Sequence, residues 1–336
     1  METLLRAWYV GTVAWTALPV GCLALLIVNH LMGREVFLPR VLEAGCRMLW
    51  PAALCLLPVL AWPDPVFTWA KAGFEPTGPF QAAWLGQAGF ALRTALCFAV
   101  WIAAAEILIR EDRVLHRGGK RRGVAAVAGF AWLVTAWLAA VDWLMALDPH
   151  YASAGFGLTV AAHQVAAALG FAVLADSLLA RDPASEGTAR ALLAGGALIW
   201  GFFAYMEFLV VWSGNVPALT GWFVERAPEG WPSLRAVAAG LTALGVAVAL
   251  AVPSGRGTGT GPLARALVRL SAGLILLAQG IEALWLTLPV SVAGGWTGAA
   301  LSVLALVVAA GPFLAVFLAV LARRRPLPRP TEPQHP

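Results

Sequence analysis

Charged residues are scarce in this sequence. Only 12% of its 336 residues are Asp, Glu, Lys or Arg, whereas about a quarter of a soluble domain is charged. Hydrophobic residues make up 60% of the chain, and its mean hydropathy is +0.78. This composition excludes an ordinary soluble domain and indicates a membrane protein.

Cysteine and histidine are scarce as well, with four and five residues respectively. The cysteines form neither a CxxC nor a CxxCH motif, which argues against covalent haem c, zinc and iron–sulfur sites. Only His163 lies well inside an apolar segment, and one axial ligand does not make a bis-histidine haem. We therefore predict that this chain binds no cofactor or metal of its own.

Glycine is plentiful, at 34 residues, but it forms no phosphate-binding loop and no GxSxG nucleophile elbow. Small residues in membranes more often let helices approach closely. No basic surface interleaved with aromatic residues is present to suggest a nucleic-acid partner.

Long apolar segments recur along the whole chain. Each is close to the roughly 20 residues that a helix needs to cross a hydrocarbon core of about 30 Å. We predict an all-α membrane protein with about nine transmembrane helices in one domain, residues 1–322, followed by a basic, Pro-rich tail, residues 323–336. The predicted spans are Ala7–Leu31, Met48–Trp62, Ala82–Ile109, Gly123–Leu147, Ala154–Ala180, Ala191–Val211, Ala236–Val252, Leu267–Leu288 and Trp296–Leu321.

The basic residues are distributed unevenly between the connecting segments. Alternate segments hold 17 of the 23 Lys and Arg residues, and the remaining segments hold four. The positive-inside rule places the basic segments in the cytoplasm, with the N-terminus outside and the C-terminus inside. The first span lacks a basic start and a cleavage site, so we expect a retained helix. The basic segments are Gly33–Arg47, Arg110–Arg122, Arg181–Arg190, Pro253–Arg265 and Ala322–Pro336.

Ten of the 16 tryptophans fall near the predicted outer boundary. They form either an interfacial belt or a docking surface for an extracytoplasmic partner. The ten are Trp8, Trp62, Trp69, Trp84, Trp143, Trp212, Trp222, Trp231, Trp285 and Trp296.

Ionisable residues inside the spans are the candidates for function. An Asp at a helix centre costs roughly 2.5–3.5 kcal/mol on insertion scales, so such residues require a partner or a role. The predicted topology places one group in the outer half, namely Arg93, Asp142, His163, Glu207 and Glu282. Glu106 and Asp176 lie in the inner half.

Each of these residues has a structural explanation as well as a functional one. Arg93 either neutralises Asp142 or Glu207, or belongs to a proton path with them. Glu106 lies one helical turn from Arg110, and Asp176 lies near Arg181 at the interface. The outer group favours a proton path, because several titratable groups on different helices exceed what one ion pair explains.

The stretch VDWLMALDPHYASAGFG, Val141–Gly157, concentrates polar residues at the end of the fourth span. Asp148 precedes a proline and is expected in an Asx turn or a cap. His150 is either a surface residue or the mouth of a proton path. Asp142 is more than one and a half helical turns inside the membrane, where turn chemistry does not explain it.

Four stretches resemble the smaller quinol-oxidoreductase-type integral membrane subunit of bacterial alternative complex III, in the polysulfide-reductase-like family of membrane subunits. The resemblance covers roughly residues 7–232. The stretches are VDWLMALDPHYASAGFG, YMEFLVVWSGNVPALTGWFVER (Tyr205–Arg226), LPVGCLALLIVNHLMG (Leu18–Gly33) and GFALRTALCFAVWIA (Gly89–Ala103).

This resemblance implies a subunit of a quinol-oxidising respiratory complex in the bacterial inner membrane. Such a subunit has no redox cofactor of its own and is a proposed carrier of protons. Its expected partners are lipids, a sister quinol-binding integral subunit, iron–sulfur and haem c subunits, and in some complexes a terminal oxidase. The quinone, the haem c and the iron–sulfur clusters would belong to those partners.

The chain departs from the family pattern at several positions. Met206 and Glu207 replace the usual Ser-Gln, and Ala218, Leu219 and Thr220 stand where an acidic pair is usual. The chain also has nine predicted spans where ten are usual. Glu207 is therefore a candidate substitute for a lost acid.

Two other classes of function remain open on the sequence, a secondary transporter and a purely structural assembly subunit. A transporter site would lie near the midplane between repeats, whereas no repeat is evident and the acids lie off the midplane. If the chain is a respiratory subunit, a four-helix bundle of the spans that carry Arg93, Asp142, His163 and Glu207 would enclose the polar group.

The charge asymmetry predicts the orientation of the chain. A reporter fused after Arg329 should be cytoplasmic, and one inserted near Gly73 should be outside, because the basic residues divide 17 to 4 between the two sides. Accessibility labelling of both fusions tests this, and a cytoplasmic reporter at Gly73 would reverse the assignment.

Overall fold

The computed structural model describes residues 1–32, 37–114, 118–180, 184–214, 217–227, 233–251 and 261–323, and within these ranges the chain is helical without strands. Thirteen α-helices lie in these ranges. They are α1 (Glu2–Met32), α2 (Pro39–Cys46), α3 (Leu49–Ala61), α4 (Pro79–Trp84), α5 (Gln87–Val114), α6 (Gly118–Trp143), α7 (Phe156–Leu179), α8 (Glu186–Gly214), α9 (Pro217–Val224), α10 (Leu234–Ala251), α11 (Pro262–Leu286), α12 (Leu288–Val292) and α13 (Gly295–Arg323).

The expected all-α polytopic membrane protein is confirmed. Nine helical segments in the described ranges are long and apolar enough to cross a membrane. They match the nine predicted spans in order, with differences at the ends. Of the predicted tail, residues 324–336 lie outside the described residues.

Two predicted spans differ from the structure in their construction. The second span begins at Pro39 rather than Met48, because α2 and α3 together make one segment, Pro39–Ala61. The third span begins at Gln87, and Trp84 belongs to the separate short helix α4. Trp84 thus approaches the bundle from a connecting segment, which matters for the polar residues below.

Helices α1 and α7 form the centre of the bundle. In each, 83% of the most apolar 18-residue stretch is buried within the protein, whereas this share is 22–56% in the other spans. Helix α1 packs against α7, α13, α6 and α2, while α7 also packs against α11 and α8. On the far side of α11, helix α10 packs against both α11 and α8.

Glycines on α1 permit this close packing. A Cβ atom on Gly21 would lie 2.0 Å from the carbonyl oxygen of Gln164 and 2.7 Å from Cβ of Ala168 on α7. A Cβ atom on Gly11 would lie 2.7 Å from the carbonyl oxygen of Ala305 on α13. The α1 backbone therefore lies directly against its neighbours, as small residues allow in membrane bundles.

The tryptophans near the outer end do not form a uniform belt. Here the outer end means the end of the bundle at which α1 begins, which is predicted to be extracytoplasmic. Trp69, Trp143, Trp222 and Trp285 are buried in the protein. Trp62, Trp212 and Trp296 are between 64% and 74% exposed, as interfacial residues would be. Trp231 lies outside the described residues.

The contact between α1 and α7 can be tested by adding one methyl group. Gly21→Ala should lower stability by about 1–3 kcal/mol, because the new carbon overlaps the α7 backbone. Gly201→Ala on α8 is the matched control, since nothing lies within 4 Å of its Cβ position and Ala favours helix. Thermal unfolding in detergent measures both, and equal melting temperatures would contradict the packing.

Candidate functional site: two separate polar clusters

The first cluster is a clamp around Asp142. Arg93 on α5 donates from Nε to Oδ2 of Asp142 at 2.6 Å and from Nη2 to Oδ1 at 3.0 Å. The indole of Trp84 donates to the same Oδ1 at 2.9 Å. Arg93 also donates to the Trp84 carbonyl oxygen at 3.0 Å, and its guanidinium lies 4.2 Å from the indole ring centroid.

This clamp satisfies the carboxylate of Asp142 completely. Both oxygens accept charge-assisted hydrogen bonds in the bidentate geometry that suits a guanidinium. Of the two partners considered for Arg93 in the sequence, the structure pairs it with Asp142 and not with Glu207. Asp142 is 2% exposed, so the pair ties α5 to α6 within the bundle and recruits α4 through Trp84.

The second cluster lies between α8, α10 and α11. Arg235, at the beginning of α10, lies between two carboxylates: its Nη2 is 3.6 Å from Oε2 of Glu207, and its Nε is 3.6 Å from Oε1 of Glu282. Tyr151 donates its hydroxyl hydrogen to Oε1 of Glu207 at 2.9 Å. Glu207 is 7% exposed and Glu282 is fully buried.

Unlike the Asp142 clamp, this cluster is poorly satisfied. Neither oxygen of Glu282 has a hydrogen-bond partner among the described residues, and neither Nη atom of Arg235 has one. The 3.6 Å separations are ion-pair distances that are too long for good hydrogen bonds. Buried polar groups without partners are uncommon and call for an explanation, such as a bound water or a catalytic role.

A hydrogen-bonded histidine–glutamine pair joins α7 to α11 one turn before Glu282. Gln279 lies one turn before Glu282, and its Oε1 accepts a hydrogen bond from Nδ1 of His163 at 2.9 Å. The Gln279 amide nitrogen has no partner in the described part of the chain. His163 on α7 therefore bonds to the helix that carries Glu282, while no hydrogen bond joins Gln279 to Glu282 in the described residues.

Arg226 lies near the second cluster, since its guanidinium and that of Arg235 are 5.8 and 4.2 Å from the centroid of the same Trp285 ring. It donates to the carbonyl oxygen of Trp222 at 3.0 Å and to that of Leu286 at 3.3 Å. These carbonyls lie in the last turns of α9 and α11, where the helix dipoles favour a cation. Burial lowers the pKa of the Arg226 guanidinium. The pKa still lies above physiological pH, so the side chain stays protonated.

Tyr151 lies in the segment between α6 and α7 and is buried. Its ring stacks on Trp222 with 4.4 Å between centroids. Burial, followed by the nearby charge of Glu207, raises the pKa of the Tyr151 phenol well above its usual value. The phenol therefore remains a hydrogen-bond donor to Glu207 at any physiological pH.

The residues around Tyr151 form the turn that the sequence predicted. Oδ1 of Asp148 accepts a hydrogen bond from the His150 backbone at 3.0 Å, which is an Asx turn. His150 itself is exposed. The structure places it at the surface beside Tyr151, a position that suits both of its expected roles.

The inner carboxylates have partners of different kinds. Glu106 is in close contact with Arg47 of the second span, and its predicted partner Arg110 also lies within ion-pair distance, at 3.9 Å. Asp176 accepts a hydrogen bond from the Ala184 backbone at 2.7 Å. Its predicted partner, Arg181, lies outside the described residues. Arg47 thus pairs with Glu106, an interaction that the sequence did not predict.

The single outer group expected from the sequence is therefore two groups on different helices. Helices α5, α6, α7 and α8 pack in sequence order, each against the next. The charged residues of the second cluster lie on α8, α10 and α11. The expected four-helix enclosure is replaced by a clamp on α5 and α6 and a cluster on α8, α10 and α11, with the His163–Gln279 hydrogen bond joining α7 to α11.

Sequence reasoning missed Arg235, Tyr151, Gln279 and Trp84. Arg235 is one of the four basic residues in the predicted outer segments, and the scarcity of basic residues there was the available signal. The other three are uncharged, so no insertion cost singled them out.

Within the described residues, no cluster of three or more His, Cys, Asp or Glu side chains could hold a metal ion. Comparison with protein-family models and with curated proteins finds no match to this chain. The likeness to the smaller integral subunit of alternative complex III therefore rests on the four sequence stretches quoted above.

The clamp predicts a specific pattern of stability. Asp142→Asn should cost about 3–5 kcal/mol, because it leaves the guanidinium of Arg93 poorly compensated inside the bundle. The double variant Arg93→Met, Asp142→Leu should recover most of this loss, since it removes both charges. Denaturant titration in mixed micelles measures the free energy of unfolding.

Asp148→Asn is the control for this experiment, because its amide oxygen still accepts the turn hydrogen bond. Its effect should stay within about 0.5 kcal/mol. A stable Asp142→Asn variant, or a double variant no better than the single one, would show that the pair does not hold α5 to α6.

Proposed function

We propose that this chain is a membrane subunit of a quinol-oxidising respiratory complex of the alternative complex III type. It lies in a bacterial inner membrane beside a sister quinol-binding subunit and iron–sulfur and haem c subunits. Two lines of evidence support this: the four sequence stretches that resemble the smaller integral subunit of that complex, and a multi-pass helical architecture. Electron transfer then takes place on the partners.

Within such a complex, the contribution we propose for this chain is a proton path through the second cluster. The observation that carries this proposal is the arrangement of Glu207, Arg235 and Glu282, in which one guanidinium lies 3.6 Å from each of two buried carboxylates. General acid–base groups within reach of one another are the parts from which proton relays are built.

The entry to this path is on the outer end. Tyr151 connects the segment beside exposed His150 to Glu207. Gln279, one turn from Glu282 on α11, is bonded to His163 and is the next polar group along the proposed path, although no hydrogen bond joins it to Glu282 in the described residues. Arg235 can strengthen its contact with either carboxylate as the other takes up a proton. The long ion-pair distances favour this exchange, because neither contact is locked by a direct hydrogen bond.

Asp142 has a different role in this proposal. Its carboxylate is saturated by Arg93 and Trp84, and protonation would break a bidentate pair. We therefore assign Asp142 and Arg93 to the scaffold. Glu106 and Asp176 lie on the inner half, where they are candidates for the other end of a path.

Purification from the native membrane distinguishes the classes of function. Isolation of the tagged chain together with haem c and iron–sulfur subunits, shown by haem absorbance and by electron paramagnetic resonance, is the expected result. A solitary chain that moves a solute in vesicles would identify a transporter and refute the respiratory proposal.

Removing the titratable protons tests the path itself. Glu282→Gln and Glu207→Gln keep the side-chain shape, so the complex should assemble while proton translocation per electron falls in vesicles that oxidise quinol. Glu75→Gln, in an exposed outer segment, is the matched control. If both the Glu282→Gln and the Glu207→Gln variant translocate as many protons per electron as the unaltered chain, the cluster has a structural role and the proton path is refuted.

A further inference from the structure

A lateral cleft lies at the outer end of the bundle, away from both polar clusters. It encloses about 640 Å³ between α1, the end of α3 and α13, within the range of small-molecule sites, about 300–1,000 Å³. Its walls are apolar and include Leu5, Trp8, Pro58, Leu301 and Leu304.

The bundle closes the inner end of this cleft. Gly11 brings α1 against the Ala305 backbone, and the Trp8 indole donates to the Cys55 carbonyl oxygen at 2.6 Å. The side remains open, since Leu4 is 61% exposed and Leu304 is 55% exposed. An apolar chain can therefore enter from the bilayer without crossing the aqueous phase.

Charged side chains surround the mouth of the cleft. Glu2 and Asp64 are among the residues that line it, and both are exposed. Arg6 is fixed beside them by a 2.7 Å hydrogen bond from Nε to the Pro65 carbonyl oxygen. Its Nη2 lies 3.4 Å from Glu2, while Asp64 has no ion pair within the described part of the chain.

We propose that this cleft binds a phospholipid with an ethanolamine headgroup from the outer leaflet. One acyl chain occupies the apolar space. The phosphate accepts hydrogen bonds from Arg6, and the primary ammonium donates to Asp64 and Glu2. This zwitterionic pattern matches one guanidinium beside two carboxylates, and charge-assisted hydrogen bonds of this kind are strong.

The same chemistry distinguishes this ligand from its competitors. A trimethylammonium headgroup has no N–H to donate to Asp64, and a purely anionic headgroup meets two carboxylates. A quinone needs donors for its carbonyl oxygens deep in the site, but the indole N–H of Trp8 is already bonded to Cys55. This inference does not depend on the proposed respiratory function.

Lipid retention measures the proposed binding. The purified full chain is incubated in micelles with equal amounts of dioleoyl phosphatidylethanolamine, phosphatidylcholine and phosphatidylglycerol plus ubiquinone, and the bound molecules are counted by native mass spectrometry. Phosphatidylethanolamine should be retained, and Asp64→Asn should weaken its retention on the order of tenfold. Glu75→Gln is the matched acidic control and should retain the lipid normally.

A second variant tests the cleft without altering any charge. Leu304→Trp places a larger ring in the apolar space and should displace the lipid, whereas Val303→Trp, on an exposed neighbouring position of α13 outside the cleft, should not. All variants are compared at equal helical content and monodisperse elution. Equal retention of the three lipids, preferred retention of ubiquinone, or unchanged binding in Leu304→Trp would each overturn the proposal.

Discussion

The interior of the bundle is governed by the absence of water in the hydrocarbon core. A polar or charged group placed there must find its partner within the protein, because the bilayer supplies none. Asp142 meets this requirement fully through Arg93 and Trp84. Glu282 does not, since Arg235 is 3.6 Å away and neither carboxylate oxygen accepts a hydrogen bond from a described residue.

The degree of hydrogen-bond satisfaction distinguishes the structural Asp142 clamp from the candidate proton path at Glu282 more clearly than residue type does. Both clusters contain buried carboxylates and arginines, so composition alone makes them equivalent. A saturated bidentate pair has one favoured arrangement, whereas a guanidinium between two carboxylates has several of similar energy. The second arrangement suits proton movement, and the first suits the holding of two helices together.

The sequence predicted the helices well because membrane spans obey a strong and simple constraint. Apolar length alone located all nine segments found in the described ranges, and only their ends shifted, as at Pro39, where α2 extends the second span. The Asx turn at Asp148 also followed from local chemistry. These features depend on neighbouring residues, which a sequence displays directly.

The pairing of the polar residues could not be read in the same way. Arg235 faces Glu207 and Glu282 because α10 packs against both α8 and α11, and no local pattern records that arrangement. Arg47 reaches Glu106 through the break between α2 and α3. Pairing across helices depends on the rotation of each helix about its axis, which hydropathy does not encode.

The order of the chain gives the Arg93–Asp142 pair a further consequence for biogenesis. Its two members lie on consecutive helices, α5 and α6, so a single helical hairpin contains both charges. Each charge alone would burden insertion by a few kcal/mol, but the hairpin can enter the bilayer already neutralised. Glu207 has no such early countercharge, because Arg235 is synthesised one span later, and its earlier partner Tyr151 is uncharged. Until α10 is made, α8 therefore carries the insertion cost of its acid without a countercharge.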